Sequence, residues 1–524
     1  MSPLRTTEGR HAGRTSILVM EDRHGHSLSE LARHTGDLLV SVGGDGDVSI
    51  RGLSYDSRAV SPGDLFFCVP GMRTDGHRYA AAAIGSGAVA LCVERPTSMD
   101  VPEVVVTDAR RAMALISAGF YGKPADDLLL IGVTGTNGKT TTTYLIESIL
   151  RADGKTTGLI GTVETRIAGE TRPGVRTTPE SVDLQRLLSD MRARGVDSVA
   201  VEVTSHALVL HRIDSARLES AAFTNLSQDH LDFHSTMEDY FAAKRSLFVA
   251  ERIDKGAINI DDPFGRRLQR MVEVPCVSFG LSPEAEIRAV DVDLGPTGST
   301  FVISTGEGEL NIDTSLVGSF NVSNCLAAAA ACMQAGIDPA SIEKGIAALP
   351  AVPGRFQSVD GGQPFSVIVD YAHTPDSLDN LLRAARTVAE RGGGRVIVAF
   401  GAGGDRDRSK RPLMGAVAAT LADVVMVTSD NPRSEEPKAI IDQILEGVVA
   451  ERSQGPDEVE PDRARAIRDV ITAARPGDVV VIAGKGHETG QELADRTIPF
   501  DDRIVAAEVL EDLGYAPAPH EAIP

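Results

Sequence analysis

Tryptophan is absent and aromatic residues make up only 4% of the 524-residue chain, but with 42% apolar and 24% charged residues the composition is that of an ordinary soluble globular protein. Positive charge is also short: 52 Lys and Arg stand against 74 Asp and Glu, a formal net charge of −22. So acidic a chain offers no general basic face, and neither nucleic acid nor an anionic membrane is expected as a partner. Any anionic substrate must be met locally, by single arginines and backbone amides. Cysteine is scarce too. Cys68, Cys92, Cys276, Cys325 and Cys332 form no C-x-x-C pair, which leaves no zinc signature. An odd, scattered set reads as buried thiols in a reducing compartment. No long apolar run marks a signal peptide or a membrane span. The expectation is a cytoplasmic protein whose first residues and tail, APAPHEAIP, fray.

What is present is glycine, 51 residues, and proline, 27 residues, as punctuation between apolar runs. Domains of about 100–200 residues make roughly three for this length. The expected blocks are 1–126, 127–352 and 353–524. In the first, AAAAIGSG reads as a short helix and AVALCVE as the strand after it. In the second, NVSNCLAAAAACMQAG reads as a buried, Ala-rich helix. The third alternates strands (SVIVD, RVIVAF, DVVMV, DVVVIA) with amphipathic helices, the pattern of a parallel α/β sheet. Polar signatures follow the strands, at the carboxyl edge where open α/β sheets gather ligands.

The stretch GVTGTNGKTTTT (132–143) follows the apolar run LLLI and precedes a helical pattern. Gly135 and Gly138 allow the backbone close to phosphates, Lys139 brings a mobile charge, and the Thr140 hydroxyl suits magnesium. The helix that follows aims its positive end at the anion. Leu145 with Ile149, and Ile146 with Leu150, make the stripe that seats it, and Asp153-Gly154 is a stop signal. The match to G-x-x-x-x-G-K-[ST] is imperfect, because Val133 takes the place of the first glycine. Thr134, Gly135, Thr136, Asn137, Gly138, Lys139 and Thr140 are the expected ATP loop.

The form TGTNGKT is more specific than a general phosphate loop. With DSR (56–58), EVTSHAL (202–208), TNLSQDHLDFH (224–234), NVSN (321–324), GRF (354–356), DYAHTP (370–375), GAGGDRDRSKRP (401–412), DNPR (430–433) and GKGHE (484–488) it resembles the Mur ligase family along almost the whole chain. The resemblance implies an α/β protein of three domains: an N-terminal UDP-binding domain, a central P-loop ATPase domain with a mostly parallel sheet, and a C-terminal Rossmann-like domain. It implies an ATP- and magnesium-dependent amide ligase of cell-wall precursor synthesis. ATP would phosphorylate the D-glutamate side chain of UDP-N-acetylmuramoyl-L-alanyl-D-glutamate, and an amine of diaminopimelate would attack the acyl phosphate. These small molecules are the only partners expected, for a monomer.

Glu202 lies near the end of the strand SVAVEVT. A lone carboxylate there is as readily a surface residue, but Ser205 and His206 beside it favour a metal role shared with Thr140. His230 and His234 have an H-x-x-x-H spacing that alone says little; the resemblance puts His230 near a second metal ion. Lys244, read from the residues, is a solvated charge on a helix. The resemblance makes it a carbamate, formed with carbon dioxide, that helps hold magnesium. Lys139, Glu202, His230 and Lys244 are thus the expected catalytic set. Asn321 and Arg355, with Asp370 and His373 from the third domain, are expected ATP contacts; NVSN as a helix cap and GRF as a hinge turn are the bland alternatives. For the UDP-sugar dipeptide the resemblance points to Tyr55, Ser57, Met72, Arg73, Thr74, Thr177, Thr178, Ser205 and Arg212. Leu210 stands where some relatives carry Gln.

Diaminopimelate ends in a carboxylate that lysine lacks, and an arginine fork pairs with it bidentately. Arg433 of DNPR has that chemistry, with Arg406, Asp430, Asn431, Pro432, Gly484 and Glu488 completing the pocket. The plain alternative is an Asx-Pro turn. An L-lysine-adding ligase is the nearest rival; a folylpolyglutamate synthetase or a P-loop switch is a more distant one.

Overall fold

The computed structural model describes residues 25–71 and 74–515. The two ends expected to fray lie outside these, as do Met72 and Arg73. The chain forms two compact units, divided after Ile116.

The first unit carries one five-stranded sheet in the order Leu39–Gly43, Glu103–Val106, Ala90–Val93, Asp64–Phe67, Gly52–Ser54. Only the first pair is antiparallel. DLFF and ALCV are buried at every residue, which is why, Asp64 apart, they read as apolar runs rather than alternating ones. The short helix read from AAAAIGSG spans Ala80–Gly85, with the expected strand after it.

The second unit holds two large sheets and a small hairpin, Gly490–Glu492 with Thr497–Pro499. The larger has eleven strands, with Leu129–Thr134 near its middle. Ser198–Glu202 and Leu218–Phe223 flank that strand in parallel. Parallel pairing continues out to Thr157–Ile160 on one side and through Ile253–Asn259 and Cys276–Gly280 to Ile287–Leu294 on the other. Both margins are antiparallel: a hairpin of Glu164–Ile167 and Glu170–Pro173, and a meander through Ser299–Thr305 and Gly308–Thr314. The sheet is mostly parallel, as expected.

Leu145, Ile146, Ile149 and Leu150 of the helix Lys139–Ala152 are all fully buried. The helix is covered on more than one stripe, since every residue from Thr140 to Leu150 is buried. The helices Ser319–Gln334 and Pro339–Ala347 pack against it. The contact is close: Ser148 Oγ donates to the Gly345 carbonyl at 2.7 Å. The helix stops at Asp153, followed by Gly154 at φ +81°.

The smaller sheet has six strands in the order Gln357–Ser358, Ser366–Asp370, Val479–Ala483, Val396–Phe400, Val424–Val427, Glu458–Val459, parallel after the first pair. Apolar cores lie on both faces, the Rossmann-like arrangement expected. Its helix Pro375–Gly392 begins with a Thr374–Ser377 capping box and Pro375 in the first turn, and ends at Gly393 in the left-handed region.

Candidate active site

The phosphate loop is shaped by a second loop laid against it. Thr136 N–H donates to the Asn225 carbonyl at 2.9 Å. Asn137 N–H donates to Asn225 Oδ1 at 2.8 Å, and Thr224 Oγ1 donates to the Asn137 carbonyl at 2.6 Å. Gly138 caps the helix at φ +84°, a conformation that L side chains resist, and Asn324 Oδ1 fills the space a Cβ would take. Lys139 Nζ donates to the carbonyls of Gly135 and Thr136, at 3.0 and 2.7 Å. Burial holds its amine below the usual lysine range.

Parallel register puts Glu202 beside Val133, at the base of the loop. Glu202 is buried, and its carboxylate accepts Thr162 N–H at 2.8 Å and Thr162 Oγ1 at 3.0 Å. A cavity of about 570 Å³ opens above, lined by Thr136–Thr141, Glu202, His230, Arg355, Asp370 and His373 among others. Arg355 reaches across to donate to Thr140 Oγ1 at 3.0 Å, with its guanidinium 4.6 Å from the centre of the Tyr371 ring. Asp370 accepts Phe356 N–H and Ala372 N–H at 2.6 and 2.7 Å, and burial pushes its carboxyl up. Asn321 does not line this cavity. It bonds to Asn324, one turn on, and Ser319, Phe320, Ser323 and Asn324 form that wall.

Lys244 is not the solvated charge that its helix position alone would give. It is 1% exposed, and its Nζ donates to the Gly135 carbonyl at 2.7 Å and sits 4.6 Å from the centre of the Tyr240 ring. Burial, then the charge of Lys139, holds its amine well below the usual range.

A second cavity, of about 310 Å³, is lined by Arg406, Asp430, Asn431, Arg433, Gly484 and Glu488, with Lys410. Pro432 lies in the turn behind, its carbonyl packed where a side chain at Gly404 would go. Arg433 stands at φ +51°; its Nε donates to Glu492 Oε2 at 2.6 Å and its Nη1 to the Gly404 carbonyl at 2.8 Å. The two cavities share walls at Thr177, Thr204, Asp229, His230, Tyr371 and His373.

The residues at that shared wall are tightly organised. Asp229 lies 3.4 Å from His230 Nε2, 3.6 Å from Lys410 Nζ and 3.8 Å from His373 Nε2. Burial raises its carboxyl, and His230, Lys410 and His373 together bring it below the usual carboxylate range. Burial brings His230 down to about 3 against the pull of Asp229. Gln228 donates to Asp407 and Ser409, at 3.1 and 2.8 Å, so the two sheets' loops are stitched together here. Sequence reading missed Lys410, Gln228 and Asp376, which accepts Asn137 Nδ2 at 2.6 Å. No spacing signal marks such contacts between distant loops.

Thr177 and Thr178 lie under the first cavity, Thr178 Oγ1 donating to the Glu202 carbonyl at 2.7 Å. Ser205 pairs with His234 at 2.9 Å, and Arg212 Nη1 donates to the Thr178 carbonyl at 3.1 Å. In the first unit, Tyr55 and Ser57 follow the strand Gly52–Ser54, and Thr74 donates to Tyr79 at 3.3 Å.

Known proteins agree with this geometry. Residues 49–121 match the Mur ligase family catalytic domain, 133–332 the Mur ligase middle domain, and 354–486 the Mur ligase glutamate ligase domain. The chain is 49% identical over 495 residues to a UDP-N-acetylmuramoyl-L-alanyl-D-glutamate–2,6-diaminopimelate ligase of Streptomyces avermitilis, covering 92% of this chain and 96% of that one. It is 49% identical over 494 residues to the like-named protein of Geobacillus kaustophilus, covering 93% and 100%. A solved structure of that name superposes with a TM-score of 0.65 at 30% identity, covering 94% of this chain and 100% of the other. A Mycobacterium tuberculosis folylpolyglutamate synthase complexed with ADP and AMPPCP shares the fold alone, at TM-score 0.59 and 16% identity over 78% of this chain and 96% of that one. A phosphate loop, an arginine-lined second cavity against it, and relatives matched along nearly their full length all converge: this chain belongs to the Mur ligase family.

Proposed function

We propose that this chain is an ATP-dependent amide ligase that joins diaminopimelate to UDP-N-acetylmuramoyl-L-alanyl-D-glutamate, a step of peptidoglycan precursor synthesis carried out in the cytoplasm. The observation that carries this reading is the wall shared by the two cavities. A carboxylate activated on one side of it lies open to an amine held on the other. No helix among the described residues is long and apolar enough to cross a membrane, and on this reading the protein works as a monomer.

On this reading the amides of Thr136–Thr140 and the Lys139 ammonium bind the ATP phosphates, with Arg355, Asp370, His373 and the Asn321–Asn324 turn around the nucleotide. The D-glutamate side-chain carboxylate attacks the γ-phosphorus and ADP leaves. The diaminopimelate amine, once deprotonated, attacks the acyl carbon and phosphate leaves. In the second unit, Thr177, Thr178, Ser205 and Arg212 hold the UDP-sugar dipeptide. Tyr55, Ser57, Met72, Arg73 and Thr74 are, taken by themselves, the first unit's candidates for a UDP-sugar contact. Arg433 and Arg406 read the distal carboxylate; Asp430 and Glu488 receive an ammonium.

The residues fit magnesium. Thr140 and Glu202 offer hard oxygen donors on one cavity, with His230 on the same wall. When bound, magnesium offsets the repulsion between ATP and the carboxylate. Lys244 fits a carbamate, because its burial beside Lys139 favours the neutral amine, the form that adds to carbon dioxide and releases a proton.

The test is phosphate release. It should require ATP, magnesium, the UDP-linked dipeptide and diaminopimelate together. Release from ATP with no amino acid present would instead mark a switch or a simple ATPase.

A further inference from the structure

We propose that Lys485 is a positioning residue for the amino-acid substrate, setting which atoms of Asn431 and Glu488 face it. The inference rests on the reading of the second cavity as the amino-acid site.

Lys485 follows the strand Val479–Ala483, in the turn GKGHE, and is 0% exposed. A lysine so buried loses hydration and must recover it in hydrogen bonds. It does so on two residues that line the second cavity. Its Nζ donates to Asn431 Oδ1 at 2.9 Å and to Glu488 Oε2 at 2.9 Å, with Asp430 Oδ1 at 3.9 Å. The backbone makes this arrangement possible. Gly484 stands at φ +122°, and a Cβ there would meet Asp430 Oδ2 at 2.7 Å.

These bonds fix orientations that the side chains alone leave open. Asn431 Oδ1 is tied back, accepting from Lys485 and from Glu492 N–H at 2.9 Å. The amide must therefore present its NH₂ forward, and it donates to Glu488 Oε2 at 2.8 Å. Glu488 Oε2 now accepts from both Lys485 and Asn431, leaving Oε1 as the oxygen with capacity for a substrate ammonium. The positive charge also keeps Glu488 usable. Burial and the neighbouring Asp430 push its carboxyl up, and Lys485 pulls it back. Without that charge Glu488 would tend to hold a proton and lose its attraction for an ammonium. Lys485 thus acts on the substrate through two other residues and touches none of the phosphate loop.

The test uses the full-length enzyme, with steady-state phosphate release measured for wild type, Lys485→Met, Glu488→Gln and the double variant. A lost charge-assisted contact is expected to raise the KM for diaminopimelate in Lys485→Met by about 10- to 100-fold. The KM for ATP and kcat at saturation should stay within about twofold, since chemistry and nucleotide lie elsewhere. Because Lys485 acts through Glu488, the double variant should be little worse than Glu488→Gln alone. An unchanged KM for diaminopimelate, a fall in kcat alone, or fully additive effects would overturn the inference. Should Lys485→Met melt early, Lys485→Gln, one atom shorter than lysine, keeps a donor group while removing the charge, and the same outcomes apply. Absence of phosphate release by the wild type with diaminopimelate would sink the reading of the activity itself; activity in the wild type with an unmoved KM in the variants would sink only this inference.

Discussion

Lys139 and Lys244 donate to the same oxygen, the Gly135 carbonyl, at 3.0 and 2.7 Å. One lysine comes from the phosphate loop and the other from the helix Met237–Arg245. Burial holds both amines below their usual range, and the charge of Lys139 repels a charged Lys244 and lowers it further. Carbamylation of Lys244 would turn that repulsion into attraction. With ¹³C-labelled bicarbonate the enzyme should show a carbamate carbonyl resonance that Lys244→Ala lacks. The variant should lose about 10²-fold or more in kcat, the scale of a lost metal-supporting charge. A wild-type spectrum without the resonance would return Lys244 to a structural role.

Gly138→Ala is expected to damage nucleotide binding. The left-handed backbone there costs an L residue about 1–2 kcal/mol, and the new Cβ would meet Asn324 Oδ1. ATP affinity, read by calorimetry, should fall at least about tenfold as the amides turn away from the phosphates. Unchanged affinity would mean that the loop tolerates another shape.

Arg433→Ala removes a guanidinium that Glu492 and Gly404 hold in place. The expected loss in kcat/KM for diaminopimelate is about 2–4 kcal/mol, the cost of leaving a desolvated carboxylate unpaired. ATP binding should persist. An equal loss for both substrates would point to misfolding of the DNPR turn.

Acid should destabilise the second unit through histidines buried in their neutral form. Burial, with the charge of Arg355, brings His487 down to about 3, and burial brings His206 to about 4. An unfolded histidine titrates near 6.5, so the unfolded state binds more protons below that pH. Stability should fall as pH drops from about 6.5 through 4. Urea titrations at pH 7 and pH 5 measure this, and His487→Gln should remove up to about 1.4 kcal/mol per pH unit of the slope.

The parallel strands were legible because burial on both faces makes them unbroken apolar runs, as in VIVAF and VVVIA. The hairpin Glu164–Pro173 was not, because ETRP is mostly exposed and carries no apolar period. The strand GELNIDT buries alternate residues, a pattern that could have been read. At the site, phosphate loop and DNPR were visible as local motifs. Lys485 was hidden because its partners Asn431 and Glu488 come from two segments, and its burial is a property of the fold. Lys244, expected through the resemblance, was hidden from a reading of the residues alone for the same reason. Asn321 was chosen where Asn324, three residues on, meets Gly138; helix phase decides between them, and the motif alone does not give it.

The most direct measurement is phosphate release with ATP, magnesium and UDP-N-acetylmuramoyl-L-alanyl-D-glutamate, comparing meso-diaminopimelate, LL-diaminopimelate and L-lysine. The arginine-lined cavity predicts release with a diaminopimelate isomer and little with lysine. Release with lysine alone would contradict the account of Arg433 and the second cavity.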